Sequence, residues 1–397
     1  MFWRHWLLVI ILGLLVGVVW GVLIVSLAGK SVDAAPPPGT EVLIATAPTL
    51  APIVPPAPKP TRLSPPSPSP TLVLAPAPTV VPARKSSTPL SALYVDGPYL
   101  RRKDTNEIIW LKGVNVEEFR QRNPHTFADL YSSQGLGIVV GQRWGVNLLR
   151  VAVDPETIDA NFPEYDKLIY FAEQQGIYVL LTPFASAVNP ARNEVRLVVP
   201  DAVVANAMGR LAERYKNRAN VLYALWNEPH PETIPSAGYD QQWQIWMDAA
   251  TSVARSIRNK NSKSVLVVPG GTEWGRDLSF YKDHPFPFEN IIFDVHDYWA
   301  SPDYHYTRDI WTWAIGMYPI LIGEFGGNPI NPTDPTSLAY MRDTIQIVNK
   351  NPGMVNYAMY ALTDDGAWGI FTHGMSRMPR GNLLFDDLKT NPPTLFQ

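Results

Sequence analysis

Two stretches of this sequence carry a carboxylate where a carboxylate is hardest to place. Val221–His230 reads VLYALWNEPH and Pro319–Gly327 reads PILIGEFGG. Each begins as an apolar run that predicts a buried strand, and each delivers a glutamate at its far end, Glu228 in the first and Glu324 in the second. Holding a charged group near low-dielectric surroundings is costly, so such a residue implies a use. Two of them at strand ends match paired-carboxylate chemistry, in which one carboxylic acid protonates a leaving glycosidic oxygen and an ionised partner attacks the anomeric carbon. Glu228 is the candidate acid/base: a Glu beside apolar walls and a second carboxylate keeps its proton towards neutral pH. Glu324 is the candidate nucleophile, with Gly323, Gly326 and Gly327 leaving room for a ligand near the backbone. Either triplet alone would equally describe an ordinary strand-end turn.

Other residues could support that pair. Asn227 offers an amide suited to a substrate hydroxyl. In FDVHDYW, Phe293–Trp299, His296 and Tyr298 are two apart and share one face of a strand. The Tyr298 hydroxyl could hold the nucleophile, and His296 could bond the substrate or carry protons. Arg150 ends GVNLLRV, and a buried arginine demands a carboxylate; beside Glu324 it would favour the ionised form. Trp274 and Trp299 fall in predicted loops after the fifth and sixth strands and are candidates for stacking on sugar faces. Trp243, Trp246, Trp311 and Trp313 are assigned to core packing.

The elements that must position these residues are legible as eight apolar runs: Ile108–Val116, Val146–Val153, Ile177–Pro183, Val221–Asn227, Ser264–Pro269, Ile291–His296, Ile320–Glu324 and Val355–Leu362. Their near-continuous hydrophobicity suits strands buried on both faces. Helical stripes alternate with them. Val204, Met208, Leu211 and Tyr215 form one; Trp243, Met247, Ala250, Val253 and Ile257 a second; Leu338, Met341, Ile345 and Val348 a third, opened by Asp334–Pro335. Asn161–Gln175 is another, stopped by Gly176. The alternation predicts an α/β fold, and eight strands predict a closed (β/α)8 TIM barrel. Leu93–Tyr99 and Asn106–Leu111 predict a hairpin around RRKDTN that leads into the first strand. Gly374–Gln397 shows no clear final helix.

Three domains are expected: 1–30, 31–91 and 92–397. Trp6–Leu27 runs without a charge, and about 22 residues span roughly 33 Å as a helix, which matches a bilayer core. The run is longer than the apolar region of a cleaved leader, so an uncleaved membrane anchor is expected, with cleavage near Ala34 or Ala35 as the rival. Arg4 and His5 favour a cytoplasmic N-terminus, with the catalytic domain outside the cell. Residues 31–91 are dense in proline mixed with Ala, Ser and Thr, a composition that cannot bury a core and makes a disordered linker.

Composition excludes several function classes. The net charge of -3 gives no basic field for nucleic acid. Cysteine is absent, which removes disulfides and thiolate chemistry. The seven His are scattered without metal-ligand spacing, and no phosphate-binding glycine loop occurs. Two carboxylates and water need no metal or cofactor. A monomer is expected.

Taken in order, LKGVNVEEF, NLLRVAV, LWNEPH, DVHDYW and IGEFGG resemble glycoside hydrolase family 5, the cellulase-like branch of the clan A retaining barrels. The resemblance covers about Leu93–Thr372. It implies Glu228 as acid/base and Glu324 as nucleophile, a covalent glycosyl-enzyme, net retention, and support from Arg150, Asn227, His296 and Tyr298. Two departures stand out. Phe184 takes the place of a His that many members carry after strand three, and YAMYALTDDG lacks the sugar-stacking Trp of strand eight, with Tyr360 or Leu362 near its place and Trp368 in the following loop as a substitute. The expected substrate is a polysaccharide such as a β-glucan or mannan, cleaved internally. A transglycosylase on the same two glutamates and a catalytically inactive, anchored carbohydrate-binding module are the alternatives.

Overall fold

Eight parallel strands close into a barrel in the computed structural model, which describes residues 90–117, 139–235, 237–298, 308–327, 331, 334–363, 368–372, 376–393 and 395–396. All belong to the unit Pro76–Gln397. The apolar segment Trp6–Leu27, almost all of the proline-rich linker and Trp299 lie outside the described residues. Among the described residues no helix is long and apolar enough to cross a membrane.

The barrel strands are β4 (Lys112–Val116), β5 (Leu148–Val153), β6 (Tyr178–Pro183), β7 (Val221–Ala224), β8 (Leu266–Pro269), β9 (Ile291–Tyr298), β10 (Ile320–Gly326) and β11 (Val355–Met359). Each pairs with the next, and β11 closes onto β4 through Tyr357 opposite Lys112. The eight apolar runs therefore all supply barrel strands, as expected for parallel strands covered on both faces. The connections carry α1 (Ile158–Gln175), α2 (Ala202–Tyr215), α3 (Tyr239–Arg258), α4 (Asp309–Thr312) and α5 (Pro335–Lys350). The predicted stripes are the buried faces: Val204, Met208, Leu211 and Tyr215 on α2, and Trp243, Ala250, Val253 and Ile257 on α3. Burying each large aliphatic side chain is worth about 1.5–3 kcal/mol. Local signals set the ends. Asp201 caps α2 by accepting from the amides of Val203 and Val204, Asp334 caps α5 through Ser337 N, and Gly176 ends α1 with a left-handed φ of 76°.

Three expectations need correction. The N-terminal hairpin is a meander: β1 (Leu93–Asp96) pairs with β2 (Tyr99–Arg102) across Gly97–Pro98, and β2 then pairs with β3 (Ile108–Ile109) across Lys103–Glu107. The run Ile108–Val116 is accordingly two strands, because β3 belongs to this small sheet and only β4 enters the barrel. The third correction is a helix, α6 (Pro379–Thr390), where none was expected. Its buried face includes Arg380, Gly381 and Asp387 beside Leu384 and Leu388, so it has no continuous apolar stripe to read. Polar contacts hold it instead: Asp387 accepts from Lys112 Nζ at 2.8 Å and from the Tyr357 hydroxyl at 2.7 Å. A last strand, β12 (Leu395–Phe396), pairs with β3.

Strand alternation sorts the side chains into two clusters. Leu148, Leu180, Leu222, Val267, Ile292 and Leu321 fill the barrel interior, while Leu149, Val179, Val268, Phe293 and Ile322 face the helices. Along β9 the same alternation turns Asp294, His296 and Tyr298 inward. The register between β9 and β10 shifts by one residue: Ile322 lies opposite Val295, and Glu324 lies opposite His296, which leaves Gly323 as the extra residue. Without this bulge Glu324 would share the outward face of Asp297; with it, Glu324 points into the barrel mouth. Gly323 also has no room for a side chain. Its amide donates to Asp294 Oδ1 at 2.8 Å, and an added Cβ would lie 2.2 Å from that oxygen. Gly323→Ala is therefore expected to cost about 1–3 kcal/mol of stability by overpacking, measured by denaturant unfolding; an unchanged midpoint would contradict this account of the bulge.

Candidate active site

The barrel mouth is built around Arg150. Two residues after the inward Leu148, it projects into the interior and is fully buried. Its Nη1 donates to Glu324 Oε1 and to Asn115 Oδ1, each at 2.7 Å. Its Nη2 donates to Asn227 Oδ1 at 2.7 Å, faces His296 Nε2 at 3.1 Å, and lies 3.7 Å from Asp294 Oδ2. Burial works against the charge, but the carboxylates of Glu324 and Asp294 outweigh it and hold the guanidinium above its ordinary range. The expected carboxylate partner is thus Glu324, with Asp294 close by as a second.

Glu324 is buried and held at both oxygens, since the Tyr298 hydroxyl donates to Oε2 at 3.0 Å. Burial pushes its carboxyl above the usual range; His296 and Arg150 oppose this, and Glu228 and Glu117 add to it. Tyr298 keeps its proton, because burial and the charge of Glu324 raise it well above its normal value. Outward on the same strand, Asp297 accepts from Arg308, the Tyr340 hydroxyl at 2.8 Å and the Thr344 hydroxyl at 2.7 Å, which ties the end of β9 to α5.

His296 bridges Arg150 and Glu228. Its Nε2 faces a guanidinium, which can only donate, so Nε2 accepts and the proton sits on Nδ1. That Nδ1–H donates to Glu228 Oε1 at 2.7 Å. Burial lowers the pKa of the ring, which keeps it neutral in this tautomer. Both nitrogens are therefore spent on the site itself. Glu228 lies four residues beyond the end of β7, and its side chain is 24% exposed against 6% for Glu324. An oxygen of Glu228, a nitrogen of His296 and an oxygen of Glu324 lie within 4.8 Å of one another. Such a cluster could in principle meet a metal ion. Here Arg150 already places a positive charge against Glu324, and His296 has no nitrogen to spare, so the donor set suits holding protons and charges.

The aromatics frame the pair. Trp274 is 39% exposed and stacks on His230 with centroids 3.8 Å apart and planes 8° from parallel. It is held in a run of left-handed residues, with φ of 55°, 58° and 79° at Glu273, Trp274 and Gly275. Such backbone is uncommon for a bulky side chain and gathers at functional sites. His230 Nδ1 in turn contacts the Glu228 carbonyl oxygen at 2.7 Å, and a shallow cleft runs between Glu228, Trp226, Leu197 and Trp274. On the other side Trp368 meets Tyr298 edge-on at 5.6 Å and Tyr360 at 6.1 Å. Arg380 of α6 positions it, with Nη1 donating to Trp368 O at 2.8 Å and Nη2 to Phe325 O at 3.0 Å. Phe184 packs 5.5 Å from the Arg150 guanidinium, where its ring face stabilises the cation. Trp243, Trp246 and Trp311 are buried and Trp313 partly so, in the core as expected.

Asn227, Glu228, His296, Tyr298, Arg150 and Glu324 thus come together. Sequence reasoning missed Asn115, Asp294, His230 and Arg380. The alternation of Asp294, His296 and Tyr298 was a usable signal for Asp294; Arg380 had none, because its helix had no apolar stripe.

The family model for cellulase (glycosyl hydrolase family 5) matches residues 118–366. Endoglucanase A of Butyrivibrio fibrisolvens is 24% identical over 246 residues, covering 59% of this chain and 52% of the relative. Endoglucanase G of Acetivibrio thermocellus is 24% identical over 264 residues, covering 48% and 47%. The chain thus spans about half the length of these curated relatives. Among solved structures, a β-glucanase from Saccharophagus degradans in complex with cellotetraose superposes with a TM-score of 0.63 at 19% identity, covering 77% of this chain and 95% of that one. The catalytic domain of a Thermobifida fusca endoglucanase gives 0.60 at 18% identity, covering 75% and 97%. With the family match spanning most of the chain and the barrel and paired glutamates in place, this chain belongs to glycosyl hydrolase family 5.

Proposed function

We propose that the chain is a retaining β-glycan hydrolase that cleaves a glucan internally by double displacement. One observation carries the reading: two glutamates meet across the barrel mouth within 4.8 Å, oxygen to oxygen, and their surroundings differ. Retaining glycosidases hold their carboxyl groups about 5–5.5 Å apart, whereas inverting enzymes need about 6.5–9.5 Å to admit water. Glu324, with Arg150 on one oxygen and the Tyr298 hydroxyl on the other, is equipped to work as an anion, so it is the nucleophile. Glu228, more exposed and accepting from the neutral His296, is the acid that protonates the leaving oxygen and then the base that activates water. Asn227 commits its oxygen to Arg150, which leaves its NH2 group for a sugar hydroxyl. Trp368 floors the sugar beside Glu324, and Trp274 stacks the leaving-group side.

A glucan is favoured because the relatives are named endoglucanases and the solved β-glucanase holds cellotetraose. As part of the same reading, residues 1–30 anchor the chain, 31–91 form the linker, and 92–397 make a monomeric catalytic domain outside the cell.

Hydrolysis of cellulose-type glucan, mixed-linkage glucan, mannan and xylan by the wild type and by Glu324→Ala tests the proposal. Glucan should be cleaved, and the variant should lose about 10⁴-fold or more in rate with an unchanged circular dichroism spectrum. Activity retained in the variant would overturn the assignment. A second expectation concerns pH. The Tyr298 hydroxyl donates to the ionised form of Glu324, which lowers the pKa of that carboxyl. Tyr298→Phe removes the bond, raises that pKa, and moves the acid limb of kcat/KM to higher pH. An acid limb that stays in place would show that Tyr298 does not tune the nucleophile.

A further inference from the structure

At the barrel end opposite Glu228 and Glu324 lies a cavity of 320 Å³, within the size range of small-molecule sites. It sits where β7 and β8 begin, and the chain enters the domain beside it through Ala92 and Leu93. The connection into β7 supplies Lys216 and Arg218, the connection into β8 supplies Lys260 and Lys263, and the turn after β2 supplies Lys103. The compensating charge falls short. Glu213 serves both Lys216 at 2.7 Å and Lys260 at 4.0 Å, and Glu173 takes Arg218 at 2.8 Å. Among the described residues, Lys103 and Lys263 make no ion pair with a carboxylate. Behind them Arg258, partly buried, spends its guanidinium on the neutral carbonyls of Ser262, Ser264, Glu289 and Asn290. Lys103 lies near the mouth of the cavity, where slight burial, and then repulsion from Lys263 and Arg258, lowers its pKa.

We propose that this pocket binds a polyvalent oxyanion of the phosphate-ester class. Like charges gathered around a cavity repel one another unless a counter-ion joins them, and here the protein supplies too few. No aromatic ring lines the cavity, so it lacks the stacking face that a neutral sugar requires. Asn217, Asn261 and Ser262 add neutral polar groups to the wall. A single carboxylate would leave most of the charge unmatched, whereas a phosphate brings up to two charges and three acceptor oxygens that several lysines can share. The same group occurs on free phosphorylated metabolites and on glycerophosphate head groups, and the test separates them.

The full-length chain in nonionic detergent would be titrated calorimetrically with inorganic phosphate, pyrophosphate, glycerol phosphate and glucuronate. The double variant Lys103→Ala/Lys263→Ala would be titrated alongside; both side chains are exposed and outside every ion pair described, so the fold and glycosidase activity should be unaffected. Saturable phosphate or pyrophosphate binding that weakens about tenfold or more in the variant supports the site. Tighter binding of glycerol phosphate than of inorganic phosphate assigns a head group; the reverse assigns a free phosphate metabolite. Absence of saturable binding by every phosphate probe, glucuronate binding as tightly as phosphate, or phosphate affinity unchanged in the variant would each overturn the proposal.

Discussion

A guanidinium with no access to water needs partners for its charge, and through its two terminal nitrogens Arg150 imposes that demand on half the barrel. It draws Asn115 from β4, Asn227 from beyond β7, His296 and Asp294 from β9, and Glu324 from β10 onto one group. Breaking a buried charge from its partners is costly, so these contacts fix one arrangement of the mouth. The helices and the interior leucines provide the frame; Arg150 sets the positions of the polar atoms within it.

The consequence is a division of labour between two residues of the same type. Arg150 and Tyr298 hydrogen-bond Glu324 directly, whereas Arg150 also sets the tautomer of His296, the ring that donates to Glu228. A donor-only guanidinium at Nε2 leaves Nδ1 as the sole place for the ring proton. One cation thus holds one glutamate and orients the partner of the other. Environments that differ in this way are how two carboxylates acquire opposite roles.

Much of this was legible in the sequence, for a definable reason. Strands covered on both faces are apolar throughout, so they stand out, and the glutamates and arginine interrupting their ends stand out against them. That Arg150 needs a carboxylate followed from the cost of burying a charge; that the carboxylate is Glu324 is set by the barrel. What was hidden depended on register and on polar packing. The bulge at Gly323, which turns Glu324 inward, exists only in the pairing of β10 with β9. The last helix, which holds Trp368 through Arg380, packs through Arg380 and Asp387 as much as through Leu384, so no periodic signal announced it. The role of His296 required knowing that Arg150 faces its Nε2. The two departures from the family pattern also acquire physical content: Phe184 covers the face of the arginine, and Trp368 stands beside the tyrosine that bonds Glu324.

The assignment of Glu324 as the attacking group is tested most directly by trapping. Incubating the protein with an activated cello-oligosaccharide carrying fluorine at the sugar's second carbon slows the second displacement and lets the glycosyl-enzyme accumulate. Peptide mass spectrometry should then find one added glycosyl unit on the peptide containing Glu324, with fragment ions locating it on that side chain. Label on Glu228, or time-dependent turnover with no covalent adduct, would contradict the account.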